Sequence, residues 1–490
     1  MRACLFAILG LASFCTLSVV GGSSLIAVPR KKSGRYNESA SNRWGEGSLR
    51  KLFGTDGIRG VAGEYPLDKK TVYAVGRALG HHLPAGPKRI VIGQDTRESS
   101  VWIADLLAAG LRDSGVETES AGVITTPGIA YLTHTQKFSA GVVLSASHNP
   151  WHDNGIKVFG RDGYKLADQV ELEIEEEIFS QLSAGPDGKE KPVSPSSLPG
   201  DATLRESYVQ WLRTLVSGIS DLKVVVDCAN GAASALAPQL FHAEFTHNGP
   251  NGRNINENCG ALHPEVVARE VIARKADLGI CFDGDADRVL FADHRGKVVN
   301  GDAVMLLLAR EMQRTGTLAG NTVVATTMSN MGLEVALREL GIDMLRAPVG
   351  DKYVLEEMKK SGAVVGGEQS GHIILSQLAT TGDGLLTALK VLEVVSHSGK
   401  PLAELVGNLK VFPQVIKNIK VREKQPLAQI PAVQTSIEAA ERDLSGTGRV
   451  VVRYSGTEAL ARVMIEAESR DKMERHAKAI AEAIQQTIGA

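Results

Sequence analysis

The sequence predicts an α/β protein: three similar α/β domains followed by a smaller C-terminal α+β domain. Two observations carry this. From residue 51 onward, short apolar runs rich in β-branched residues alternate with helix-length amphipathic segments, the layering rhythm of α/β folds. After about residue 415 the rhythm changes, and strand-like runs surround one helix before a long terminal helix. The 490 residues exceed what a single core organises, and 43% hydrophobic with 22% charged residues is an ordinary globular balance.

The first domain, 51–185, reads as a strand over 89–93, a helix over 101–114, a buried strand over 141–144 and an acidic helix over 171–181. The Pro/Gly/Ser-rich stretch 184–200 reads as a solvated connection. The second domain, 205–300, opens with a strand over 222–227. It passes a Gly/Ala-rich helix start near Asn230 and reaches a strand over 278–282. The third, 301–410, has a helix over 301–315, a strand over 322–326, a helix over 333–340, a strand over 363–365 and a helix over 384–396. The tail, 415–490, has strands over 415–421, 449–453 and 463–466 and helices over 432–444 and 472–488.

Residues 1–50 form an extension. Arg2 precedes an apolar run over 3–20 and then Gly-Gly-Ser-Ser, the pattern of a signal peptide or a short membrane span. Residues 30–50 are polar and expected to be disordered. Asn37-Glu-Ser is a glycosylation sequon that matters only in a secreted chain. Secretion, tethering and a start assigned too far upstream compete. The third is favoured, because ordered-looking sequence begins abruptly at Lys51 and Leu49 can be an alternative start. Five cysteines without metal-ligand spacing suit a reduced, cytoplasmic setting, with Cys228 and Cys281 as small core residues. A net charge of −2 gives no reason to expect nucleic acid.

Chemistry concentrates in four loops. Leu144-Ser-Ala-Ser-His-Asn-Pro-Trp151 sets the hydroxyl of Ser147 in a tight polar turn after an apolar strand, a suitable carrier of a covalent group. Ser145 competes but stands at the strand end. Asp283-Gly-Asp-Ala-Asp-Arg288 places three carboxylates at i, i+2, i+4, on one side of an extended chain, with small residues between them. At about 5 Å two such charges repel by roughly 3 kcal/mol at an effective dielectric near 20, so a counter-cation is expected. Hard oxygen ligands favour Mg²⁺. No Glu stands where an EF-hand requires one. A phosphoserine at Ser147 would be held by that cation and by arginines such as Arg288.

Gly366-Gly-Glu-Gln-Ser-Gly-His372 offers Glu368 and Ser370 to sugar hydroxyls or an amine, with His372 as a proton carrier. Arg453-Tyr-Ser-Gly-Thr-Glu458 supplies a guanidinium, the hydroxyls of Ser455 and Thr457 and the freed backbone of Gly456, a cradle for a phosphate dianion. Arg462 adds charge nearby. Arg59, in Gly54-Thr-Asp-Gly-Ile-Arg-Gly60, and Arg97 are further candidates for an anion.

In this order along 51–490, the four loops resemble the α-D-phosphohexomutase superfamily. The opening 51–60, the loop Gly-Glu-Gln-Ser-Gly-His, and segments 326–332 and 380–384 resemble its bacterial phosphoglucosamine mutase branch. Gln369 stands where phosphoglucomutase/phosphomannomutase enzymes usually have another residue. The resemblance implies four domains around a central cleft and an isomerase that interconverts glucosamine 6-phosphate and glucosamine 1-phosphate on the way to UDP-N-acetylglucosamine. It implies a phosphoserine at Ser147, and one Mg²⁺ on Asp283, Asp285, Asp287 and a Ser147 phosphate oxygen. Lys157 and His372 match general acid/base positions, with Arg288 counted among the catalytic set. Glu368 and Ser370 match the sugar contacts, and Arg453, Ser455 and Thr457 the non-reacting phosphate. Glucosamine 1,6-bisphosphate is the implied intermediate and activator, sugar phosphates the implied partners, and a homodimer a compatible assembly. No stable membrane partner is expected. Tyr454, Ala459 and Ala286 depart from residues often found in these loops. A phosphoglucomutase/phosphomannomutase, a phosphoserine-forming phosphatase and a noncatalytic sugar-phosphate binder are the rival readings.

Overall fold

Three mixed sheets, each flanked by helices, and one small antiparallel sheet contain the strands of the computed structural model, which describes residues 52–54, 56–84, 86, 88–183, 199–455 and 459–490. The 1–50 extension, nearly all of the expected solvated connection, and Gly456 and Thr457 lie outside the described residues. Among the described residues no helix is long and apolar enough to cross a membrane.

In the first sheet Arg89–Gln94 pairs in parallel with Glu117–Val123 and Ala140–Leu144. Asp153–Gly160 then runs antiparallel to Ala140–Leu144 and carries Gly57–Val61 on its far edge. In the second, Val224–Asp227 pairs in parallel with Glu244–Thr246 and Leu278–Phe282, and Val289–Asp293 returns antiparallel to Leu278–Phe282. In the third, Thr322–Thr326 pairs in parallel with Asp343–Ala347 and Val365–Gly367, and Ile373–Leu375 returns antiparallel. The C-terminal sheet is wholly antiparallel, with Leu460–Ala467 between Gln414–Lys420 and Gly448–Tyr454. Helices Pro431–Asp443 and Arg470–Ile488 complete that α+β module.

One plan therefore recurs three times: a parallel strand, a chemistry-bearing loop, and an antiparallel return strand. The returns Asp153–Gly160 and Ile373–Leu375 escape the sequence reading because the first is unevenly apolar and the second only three residues long. Asp153–Gly160 carries Lys157 at its centre. The parallel strands Ala140–Leu144 and Leu278–Phe282 are buried at every position, as strands covered on both faces must be. Their stiffness fixes where each loop begins. One continuous apolar core runs from Val91 and Phe138 through Phe282 and Phe291 to Leu385 and Val406, so the three sheets share buried surface. Cys228 and Cys281 lie in the interior as expected, with Cys259 beside them, and all three are free thiols.

The candidate active site

Ser147 follows the first buried strand by three residues and sits in left-handed backbone at φ +52°. The turn is clamped from outside. Asp95 accepts the Ser145 hydroxyl at 2.6 Å, and Ser145 Oγ accepts the Ser147 N–H at 2.9 Å. Ser145 is thus a turn-former. The guanidinium of Arg97, itself buried and paired with Asp95 at 2.8 Å, donates to the carbonyls of Ser147 at 3.0 Å, Asn149 at 2.8 Å, Asp153 at 3.0 Å and Pro150. Arg97 therefore scaffolds the loop and is not available to a ligand anion, which corrects the sequence expectation. Asn256 Nδ2 donates to the carbonyls of Ser147 and Asn149 from the other side.

The acidic loop is the tight turn between Leu278–Phe282 and Val289–Asp293. Its chain is not extended. Ala286 N–H donates to the Asp283 carbonyl at 3.1 Å with Ala286 at φ +53°, and this turn is what converges the three carboxylates. A side chain at Gly284 would lie 2.5 Å from the Ser147 carbonyl, so only glycine lets the two loops touch. Ser147 Oγ donates to Asp283 Oδ2 at 2.5 Å. Asp285 Oδ2 accepts from Lys157 Nζ at 2.7 Å and from Thr126 Oγ1 at 2.5 Å.

All three carboxylates are buried, with ligand atoms within 4.8 Å of one another. Asp285 Oδ1 and Asp287 Oδ1 are buried without a hydrogen-bond partner. Orphaned carboxylate oxygens converging in this way are what a bound cation satisfies, and the all-oxygen donor set suits a hard divalent ion. Burial, then the Asp287 and Asp285 charges, push the Asp283 carboxyl well above its usual range. Asp287 goes the other way: against its burial, Lys157 and His372 hold it well below.

Lys157 reaches inward from its strand, fully buried. Despite desolvation, the Asp285, Asp56 and Asp287 carboxylates keep its ammonium charged and raise its pKa. His372 is also buried, with Nδ1 3.6 Å from Asp287 and Nε2 3.7 Å from Asp351. Gly382 N–H donates to Nε2 at 3.1 Å, which puts the neutral ring's proton on Nδ1. Against burial, Asp287 and then Asp351 raise its proton affinity. Arg288 donates its backbone N–H to Asp283 Oδ1 at 3.2 Å, and its Nη1 lies 3.2 Å from His148 Nδ1.

A cavity of about 430 Å³ opens beside the triad, with Asp287 as the triad member in its lining. Asp56, Arg59, His148, Asp287, Arg288, Glu368 and His372 are among its lining, so all three mixed sheets contribute to one cleft. Glu368 is fixed there by the Gly350 N–H at 3.1 Å and the Ser370 hydroxyl at 3.2 Å. Arg59 pairs closely with Asp56. A larger hollow of about 720 Å³ lies elsewhere, between helices Gly301–Arg314 and Gly384–Ser398, and includes none of these residues. Arg453 stands exposed at the end of Gly448–Tyr454, Ser455 is buried next to it, and Gly456 and Thr457 fall outside the described residues. Arg462 faces Arg453 across the sheet register.

Asp56, Asp351 and Asn256 were missed by sequence reasoning. Asp56 had a signal: it sits between glycines in the very motif from which Arg59 was drawn. Asp351 begins a helix after Gly350, a place usually read as ordinary first-turn acid.

Four consecutive segments match the domains of one family, phosphoglucomutase/phosphomannomutase: domain I over 50–184, domain II over 206–296, domain III over 300–412 and the C-terminal domain over 416–483. A phosphoglucosamine mutase of Koribacter versatilis is 63% identical over 453 residues, spanning 90% of this chain and 98% of that protein. The chain belongs to the phosphohexomutases, in their phosphoglucosamine mutase branch. Solved phosphohexomutases share the fold. A phosphoglucomutase/phosphomannomutase family protein of Burkholderia thailandensis superposes with a TM-score of 0.71 at 23% identity, covering 88% of this chain and 97% of that one. The N-acetylphosphoglucosamine mutase of Aspergillus fumigatus, solved with GlcNAc-6P and magnesium, gives 0.59 at 18%, covering 91% and 98%.

Proposed function

We propose that this chain interconverts glucosamine 6-phosphate and glucosamine 1-phosphate through a phosphoserine at Ser147 and glucosamine 1,6-bisphosphate. The observation that carries the reading is the Ser147 hydroxyl placed on Asp283 at the mouth of three converging carboxylates. Relatives named phosphoglucosamine mutase support the sugar. Mg²⁺ on Asp283, Asp285 and Asp287, when bound, supplies positive charge to the serine oxygen and the moving phosphoryl group.

The chain's own residues do the rest. Lys157, held charged, balances the buried acids and faces the developing negative charge. As the serine Oγ–P bond breaks and a bond forms from phosphorus to a sugar hydroxyl oxygen, the hydroxyl proton passes to the imidazole of His372. The bisphosphate turns end for end, and the same steps reversed return the other phosphate to Ser147. Arg288 and His148 flank the reacting phosphoryl group, and Glu368 and Ser370 grip the sugar. Arg453, Ser455, Gly456 and Thr457 hold the phosphate that is not reacting, and Arg59 adds charge at the cleft mouth. The cytoplasm is the setting we assign, consistent with the free thiols of Cys228, Cys259 and Cys281.

Phosphorus NMR of purified protein with glucosamine 6-phosphate and Mg²⁺ should show glucosamine 1-phosphate accumulate, with phosphate on Ser147 by mass spectrometry. Ser147→Ala should lower turnover at least ~1,000-fold, and chelation should abolish it reversibly. Undiminished interconversion by that variant would sink the phosphoserine reading. Inorganic phosphate released without isomer would mark a phosphatase, and preference for glucose or mannose phosphates the neighbouring branch.

A further inference from the structure

Lys165 stands just beyond the strand that carries Lys157, and neither transfer nor sugar recognition accounts for it. Its Nζ lies 2.5 Å from Asp56 Oδ1 and 2.6 Å from Asp351 Oδ2. From these two acids charges alternate round a closed circuit. Asp56 Oδ2 lies 3.1 Å from Lys157 Nζ, Lys157 3.7 Å from Asp287, Asp287 3.6 Å from His372, and His372 3.7 Å from Asp351. The circuit draws Asp56, Lys157 and Lys165 from the first sheet's part of the chain, Asp287 from the second, and His372 and Asp351 from the third.

Two of its members are the groups placed above at the reacting oxygens. Lys165 itself touches no carboxylate of the acidic triad and does not line the cavity. Its cation keeps Asp56 and Asp351 together at a separation where two bare carboxylates repel. Without it the circuit opens on the side that joins the first and third parts of the chain. Asp351 would then be free to swing toward solvent, taking with it the contact to His372.

The turn around Lys165 is otherwise docked without it. Thr380 Oγ1 donates to the Gly163 carbonyl at 2.6 Å, Lys359 Nζ sits 3.5 Å above the Tyr164 ring, and Lys352 pairs with Asp168. Docking and circuit closure are therefore separable by mutation.

We propose that Lys165 is a positioning residue for the transfer: by closing this circuit it fixes Lys157 and His372 relative to each other across the cleft. The proposal rests on the mutase reading, and its test keeps the two apart. Wild-type formation of glucosamine 1-phosphate establishes the reading; only then does Lys165→Met, which keeps the stem and removes the charge, probe the circuit.

Lys165→Met should lower kcat at least ~10-fold with KM for glucosamine 6-phosphate within ~3-fold, because the sugar and phosphate grips remain. Ser147 phosphate occupancy should be unchanged. Lys165→Arg should recover a third or more of kcat. Lys352→Met, which breaks the neighbouring docking pair and leaves the circuit whole, should stay within ~2-fold of wild type. Wild-type kcat in Lys165→Met overturns the proposal. So does an equal loss in Lys352→Met, or a loss in Lys165→Met that merely tracks a lower folded fraction in thermal melts and is not restored by arginine.

Discussion

The nucleophile end of the cleft and the C-terminal phosphate loop are built on opposite terms. Ser147 and its three aspartates are buried, and Arg97 holds the carbonyls of Ser147, Asn149, Pro150 and Asp153, the first two shared with Asn256. Arg453, in the C-terminal module, is exposed on the last residues of a strand. Among its described residues, the Ser455 carbonyl accepts from Lys424 Nζ at 2.7 Å, the Ser455 N–H donates to the Leu460 carbonyl at 2.8 Å, and the Tyr454 hydroxyl donates to the Gln425 carbonyl at 2.6 Å. The contrast suits the division of labour proposed. One end handles a single phosphoryl geometry, where a small displacement is costly. The other is proposed to accept either phosphate of an intermediate that turns round, and the exposed guanidinium of Arg453 is open to both.

The sharpest way to break the comparison is at Arg97. Its guanidinium is buried, ion-paired and committed to four carbonyls of the serine turn. Arg97→Met leaves Asp95 buried and unpaired, and should cost about 3–5 kcal/mol of stability. Urea denaturation measures it. In protein still folded, kcat should fall at least ~100-fold with little change in KM, because Ser147 loses its fixed backbone while the sugar contacts persist. A variant as stable and active as wild type would show that the turn holds itself.

How much of this was legible follows the same divide. Ser147 and the Asp283, Asp285, Asp287 spacing stood out because their chemistry is written in adjacent residues. The strands at 278–282 and 322–326 did too, being unbroken apolar runs. The scaffold was not legible. Arg97 reads in sequence as a loop arginine, and only the approach of two carbonyl-lined turns makes it structural. The convergence of the triad was attributed to extended chain, whereas it arises from a turn at Ala286 that no i, i+2, i+4 count reveals. One return strand was missed for a related reason. Asp153–Gly160 buries Lys157 among carboxylates supplied by distant segments, so its polarity conceals a core strand.

A smaller effect should come from the exposed end. Arg453→Ala removes an exposed guanidinium, so thermal stability should stay within about 0.5 kcal/mol. KM for glucosamine 6-phosphate should rise by ~30-fold, the size of one charge-assisted contact of about 2 kcal/mol, while kcat changes less. Steady-state kinetics across substrate concentration tests it. A fall in kcat with unchanged KM would mean that Arg453 acts on the transition state, and the division between a transferring and a holding end would fail.

The smallest effect distinguishes the two regions by the sign of their response to acid. Asp383 caps helix Gly384–Ser398, accepting from Leu386 N–H at 3.0 Å and from the Tyr208 hydroxyl at 2.7 Å. The next residue, Gly384, donates to the Ala286 carbonyl of the acidic loop at 3.0 Å, so this cap belongs to the buried end. Burial raises the Asp383 carboxyl to about 6 from its ordinary 3.8, over the opposing bonds from Leu386 and Tyr208. Between those values the folded chain keeps a proton that the unfolded chain has released. Its contribution to stability is therefore greatest near pH 4 and is lost as pH rises through 6, with a slope no steeper than about 1.4 kcal/mol per pH unit. Asp443, half-buried on the C-terminal module, is held low by His476 and then Lys472, so its contribution is present above the ordinary carboxyl range and lost as pH falls below it. Subtracting the urea stability of Asp383→Asn from that of wild type should give a difference that falls by about 1 kcal/mol between pH 5 and 6, while the same subtraction for Asp443→Asn stays flat there and declines only at lower pH. A flat Asp383 difference would mean that water reaches the cap, and that the buried end is less sealed than its geometry indicates.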